Sequence, residues 1–110
     1  MAQYLLQVAY TSEAWANMVK HPQDRIGIVS KVIQSLGGKM IGGWLSFGDY
    51  DTVAVFEMPD NTSAAAFSIA AAAGGACKSI KTTPLLSTEE GIEAAKKAAK
   101  SGYAPPKAGG

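Results

Sequence analysis

The sequence predicts an α+β fold: a split β-α-β-β-α-β unit with one antiparallel sheet, its helices on one face, and an extra C-terminal helix. Three observations predict it. Four short β-prone runs alternate with helical stretches in that order. Residues 44–56 place two apolar runs around Gly48-Asp49-Tyr50-Asp51, which is hairpin chemistry. Ile26, Val29, Ile33 and Leu36, with Val32 beside them, form one helical stripe at i, i+3, i+7 and i+10, as a crossover helix requires.

Taken in order, residues 3–10 read as strand one. Tyr4, Leu6, Val8 and Tyr10 point one way, and the mixed set Gln3, Leu5, Gln7 and Ala9 points the other. Thr11 or Ser12 caps a helix beginning near Glu13. Pro22 interrupts it, because proline lacks an N–H and disfavours α geometry at His21. A second helix restarts there, carries the stripe, and ends at Gly37-Gly38 with one glycine left-handed. Residues 39–47 form strand two, where Gly42-Gly43 signals a bulge or a close neighbour. Residues 50–58 form strand three, rich in Val, Thr and Phe, and Pro59 stops it.

Asp60, Asn61 or Thr62 caps an alanine-rich helix over residues 63–73, which Gly74-Gly75 ends. Residues 76–83 form strand four, and Pro84 is expected to end its pairing. Ser87 and Glu90 match a capping box for a last helix over about residues 88–101. Its apolar face, Ile92, Ala95 and Ala99, is thin. Residues 103–110 are too rich in Pro and Gly for regular structure and are expected to be mobile, leaving residues 1–102 as one domain.

The chain has 110 residues, enough for one domain. A formal net charge of +1 gives no reason to expect nucleic acid as a partner, and the central strands lack the basic, aromatic-studded surface that base stacking needs. No apolar run is long enough to span a membrane, so no membrane partner is expected. The N-terminus carries no secretory signature. The single Cys77 precludes an internal disulfide and fits a cytoplasmic setting.

This strand order is ferredoxin-like, and it leaves the second sheet face bare. A face carrying Leu5, Ala9 and alternate residues of strands two and three would expose an apolar patch unusual for a monomer. The C-terminal helix could cover some of it and a second copy could cover it all about a two-fold axis, so the expected partner is the chain itself. The space between sheet and helices, or between subunits, would suit a small molecule.

Gly48-Asp49-Tyr50-Asp51, followed by residues 52–60, resembles the signature of the GYD domain family. Pro22, Arg25, residues 36–39, Thr82-Thr83 and residues 88–90 support the resemblance, which covers roughly residues 3–90. The family is similar to the dimeric α+β barrel proteins, whose ferredoxin-like subunits pair through their sheets. Relatives in that wider group include cofactor-independent monooxygenases, isomerases, haem-handling enzymes and small-molecule sensor domains. The resemblance assigns no reaction, no catalytic residue and no cofactor to this chain.

Six residues are candidates for ligand contact. Tyr50 and Asp51 form the most specific pair. Asp51 can cap the backbone while Tyr50 packs across the strands, or the two can border a pocket as acceptor and donor. His21, the only histidine, sits at a helix break and is a surface or capping residue, a general base or one metal ligand. Trp44 follows the paired glycines, where a ligand or partner could approach. Glu57 alternates with Val55 and Val53; it is an exposed strand-end residue, or a buried carboxylate that would need Arg25 or a lysine. Cys77 reads as an inert thiol. No metal-ligand spacing is recognisable, so no metal is expected. The expected function is binding of a small apolar or aromatic molecule by a homo-oligomer. The alternatives are an assembly module without chemistry and an enzyme by analogy of fold.

Overall fold

The computed structural model describes residues 1–107. The alternation in the first strand decides the architecture. β1 (Ala2–Tyr10) turns Tyr4, Leu6, Val8 and Tyr10 into the core, where all four are buried. β3 (Thr52–Met58) pairs antiparallel with it, setting Leu6 opposite Ala54 and Tyr4 opposite Phe56. Phe56 stacks on Tyr4 and tilts against Phe67, while Ala54 and Met58 are fully buried. β2 (Lys39–Leu45) and β4 (Cys77–Leu85) are the edges, giving the order β2-β3-β1-β4.

Both crossovers pack on that same face. α1 (Ser12–Lys20) is capped by Thr11, whose hydroxyl accepts the Ala14 N–H, and it stops at His21. α2 (Arg25–Ser35) lies over β2 and sends Ile33 into the core. Gly37, with φ of 87°, supplies the left-handed stop. α3 (Asn61–Ala73) is capped by Asp60 and lies over β3 and β4, burying Ala64 and Phe67. The fold is the expected α+β arrangement.

The paired glycines explain how α2 reaches its edge strand. The register slips between Met40 and Gly42, leaving a bulge at Ile41. A Cβ on Gly43 would strike the Ile26 side chain of α2, and one on Gly42 would strike the Trp44 indole on the opposite face. Bulge and close neighbour are both present.

Two details differ from expectation. The hairpin is wider than the sequence suggests: β2 ends at Leu45 and β3 begins at Thr52, leaving residues 46–51 as a loop. The loop is closed by Ser46, whose backbone N–H donates to the Asp51 carbonyl at 2.8 Å and whose Oγ donates to the Tyr50 carbonyl at 2.7 Å. Asp51 N donates instead to the Val8 carbonyl, also at 2.7 Å. Pro84 does not end β4 but pairs opposite Tyr4 inside it. An edge strand tolerates a missing N–H when the vacant side faces outward.

α4 (Thr88–Ala99) starts with the expected capping box, Ser87 with Glu90. It ends near the expected boundary but stands away from the body, with every residue exposed. The radius of gyration is 17.8 Å, where a compact domain of this length has about 13 Å. α4 therefore does not roof the second sheet face. Residues 101–107 form no helix or strand; the expectation of a mobile tail falls partly on residues 108–110, which lie outside the described residues.

Candidate functional site

α2 lies over β2 and α3 over β4, so the central strands are incompletely roofed. Between the helices lies an apolar cleft of about 270 Å³. Its floor is Leu6, Val8, Tyr10 and Thr52. α2 supplies Ile28, Val29 and Val32, while α3 contributes Phe67 and a wall of Ala70, Ala71 and Gly74. Short side chains on α3 leave the gap open. Ile28 is 42% and Val32 38% exposed, although both are large aliphatic groups directed into the cleft. An engineered apolar cavity of about 150 Å³ is enough for benzene, so this cleft has room for a substituted ring or a short alkyl chain.

The polar groups of the cleft gather where β1 ends. Tyr10 and Thr52 join their hydroxyls at 2.9 Å in the floor. Two hydroxyls carry two protons and this bond uses one, so one O–H remains to donate. Cys77 pairs with Tyr10 across the β1–β4 ladder, and the Thr11 N–H holds the Ala76 carbonyl at 3.0 Å. Arg25, first residue of α2, completes this end. Its guanidinium Nη1 donates to Gln23 Oε1 at 3.1 Å and meets no carboxylate among the described residues. Burial pushes the Cys77 thiol above its ordinary range, and the nearby Arg25 charge offsets part of that rise. The thiol is therefore protonated at neutral pH and a poor nucleophile.

The six candidate residues do not converge. Arg25 alone lines the cleft. Asp51 Oδ2 accepts the backbone N–H of Tyr10 at 2.9 Å and the Trp15 indole N–H at 3.2 Å, tying the hairpin to β1 and α1. Tyr50 sits beside it in the loop, held through its carbonyl. His21 caps the C-terminus of α1 and is exposed. Trp44 lies on the second sheet face, 59% exposed. Glu57 is on that face too, between Gln3 and Lys39 of the neighbouring strands. No group of three His, Cys, Asp or Glu able to hold a metal lies among the described residues. No helix there is long and apolar enough to cross a membrane.

The GYD domain family model matches residues 4–95. The chain belongs to the GYD domain family. The match takes in the sheet from the third residue of β1 onward, the three helices on the body and the first two thirds of α4. No curated protein and no solved structure matches the chain. In this GYD domain the Gly48-Asp49-Tyr50-Asp51 element lies beside β1, and its last residue bonds to the strand end that also carries the polar floor of the cleft.

Sequence reading missed most of the cleft. Leu6, Val8 and Tyr10 on one face of strand one and Val29 with Val32 on the α2 stripe have the spacing of core positions, whereas Ile28 lies outside that stripe. The available signal was Ile28 with Val32 at i, i+4, beside the buried stripe and facing a helix too poor in large side chains to meet them.

Proposed function

We propose that this GYD domain binds a small apolar or aromatic molecule in the cleft between α2 and α3, and that it does so as a homo-oligomer. The open apolar cleft of about 270 Å³ carries the reading. Binding sites are concave and mostly apolar, with a few convergent polar groups. Here those groups are Tyr10, Thr52 and Arg25.

The second sheet face supports self-association. Leu5, Val53 and Val55 are only half-buried there and Trp44 is largely exposed. A contiguous patch of that kind is covered in most soluble proteins. It also favours a second reading, an assembly module without chemistry. Turnover by analogy with monooxygenases or isomerases of similar fold assigns no step here.

Native mass spectrometry of the purified protein tests both parts at once. The expected result is a defined oligomer with a co-purifying compound, and loss of that compound in Ala71→Phe, which fills the cleft. An oligomer that carries nothing, and binds no aromatic fragment on titration, leaves the assembly module as the answer.

A further inference from the structure

The cleft is apolar at one end and polar at the other, and this asymmetry follows from the topology. β1 ends at Tyr10, and the chain returns over the sheet as α2, which begins at Arg25. α3 runs back from the far end of β3 and finishes at Gly74, just before β4 opens with Cys77. Arg25, Tyr10 and Thr52 therefore meet at the strand-one terminus, while Leu6, Phe67 and Val32 line the other end.

Arg25 is the charged group of this cleft and has only an amide oxygen as side-chain partner among the described residues. A guanidinium has five N–H donors and matches a carboxylate in a two-point fork. The spare hydroxyl proton of the Tyr10–Thr52 pair sits at the same end. An apolar ligand with a carboxylate at one terminus would satisfy both groups and fill the hydrocarbon half.

We infer that the cleft selects an amphipathic monocarboxylate, an aryl- or alkyl-carboxylic acid anion, with its carboxylate at Arg25 and its apolar body directed toward Phe67. This inference rests on the small-molecule reading of the cleft and specifies the ligand class. The Tyr10–Thr52 pair orients the second carboxylate oxygen.

The test uses a matched pair of probes, 3-phenylpropanoate and its neutral amide 3-phenylpropanamide. Each is titrated into isotopically labelled full-length protein, and amide shifts are followed by NMR. The wild-type protein should bind the carboxylate about tenfold more tightly than the amide, with shifts centred on Tyr10, Thr52 and Cys77. Arg25→Gln should remove the preference and leave amide binding intact. Arg25 is only partly buried, so this variant is expected to fold, and its spectrum away from the cleft verifies that. Equal affinities for the two probes in wild type would overturn the carboxylate inference and leave the small-molecule reading standing. A carboxylate preference that survives Arg25→Gln would overturn the role of Arg25. Absence of cleft shifts with either probe would overturn both readings.

Discussion

Asp51 and Tyr10 are joined by a 2.9 Å hydrogen bond from the Tyr10 backbone N–H to one carboxylate oxygen, Asp51 Oδ2. The same oxygen accepts the Trp15 indole N–H at 3.2 Å. Trp15 in turn meets the Tyr10 ring edge-on, with centroids 5.6 Å apart. One side chain from the hairpin thus fixes the end of β1 and the start of α1 together. Asp51→Ala should lower the unfolding free energy by about 1–3 kcal/mol, since it leaves a strand-end N–H without its acceptor. Asp51→Asn, which keeps a carbonyl acceptor, should lose less. Urea denaturation followed by the combined fluorescence of Trp15 and Trp44 and by circular dichroism measures both. Equal stability of wild type and Asp51→Ala would show that this bond does not hold the hairpin.

Local devices were legible in the sequence because each depends on a few neighbouring residues. Thr11, Asp60 and the Ser87–Glu90 box cap helices where their spacing suggests. The alternation in β1 separates core from open face as far as Val8, because strand periodicity sets it; the register shifts after Ala9, which is buried instead of lying on the open face. Features that depend on assembled geometry were not legible. Pro84 reads as a strand stop, yet its cost vanishes on an edge whose unpaired side faces out. The alanines of α3 read as close packing against the sheet, and Ala64 does pack so. The gap beside Ala70 and Ala71 arises from the separation of two helices, which no local pattern encodes.

Gly38 provides a sharper test of packing. A Cβ there would run into the Glu57 carbonyl oxygen and come within 2.6 Å of the Met58 sulfur. Neither atom can yield freely, since Glu57 is in the ladder and Met58 is fully buried. Gly38→Ala should therefore destabilise the protein by about 3 kcal/mol, as overpacking of a filled site does. Gly91→Ala is the control, because nothing lies within 4 Å of a Cβ in α4. That change should raise helix content in circular dichroism and leave the main unfolding midpoint in place. Equal midpoints for Gly38→Ala and wild type would refute the close approach of β2 to β3 at this point.

The proposed assembly has its own test on the second sheet face. Leu5 stands directly opposite Val55 there, both half-buried. Leu5→Glu and Val55→Glu each place a carboxylate where a partner would have to desolvate it. Neither substitution touches the helix-facing core, so the subunit should stay folded by circular dichroism. Sedimentation velocity at micromolar concentration should show an oligomer for wild type and a monomer for each variant. An unchanged sedimentation coefficient in both variants would remove this face as the interface.

Helix caps give the protein a defined response to acid. Asp60 Oδ1 accepts the Ser63 N–H at 2.7 Å, and Glu90 Oε1 accepts the Ser87 N–H at 3.0 Å. The backbone bond is the main cause that holds each carboxyl below its ordinary range, and the nearby serine hydroxyl lowers it further. A depressed folded value means that the charged form is the one bound in the native state. The stabilisation is full above the unfolded carboxylate value and is lost as pH falls through the folded one, below about pH 4. The Ser63 and Ser87 amide resonances should therefore titrate at lower pH than free carboxylates do, and Asp60→Asn and Glu90→Gln should abolish the respective transitions. The two caps should differ in consequence. Protonating Asp60 loosens α3, which packs on the sheet, whereas protonating Glu90 frays only α4, none of whose residues is buried. Acid should thus reduce α4 helicity before the core signals of Phe56 and Phe67 move, and simultaneous loss of both would contradict the independence of α4.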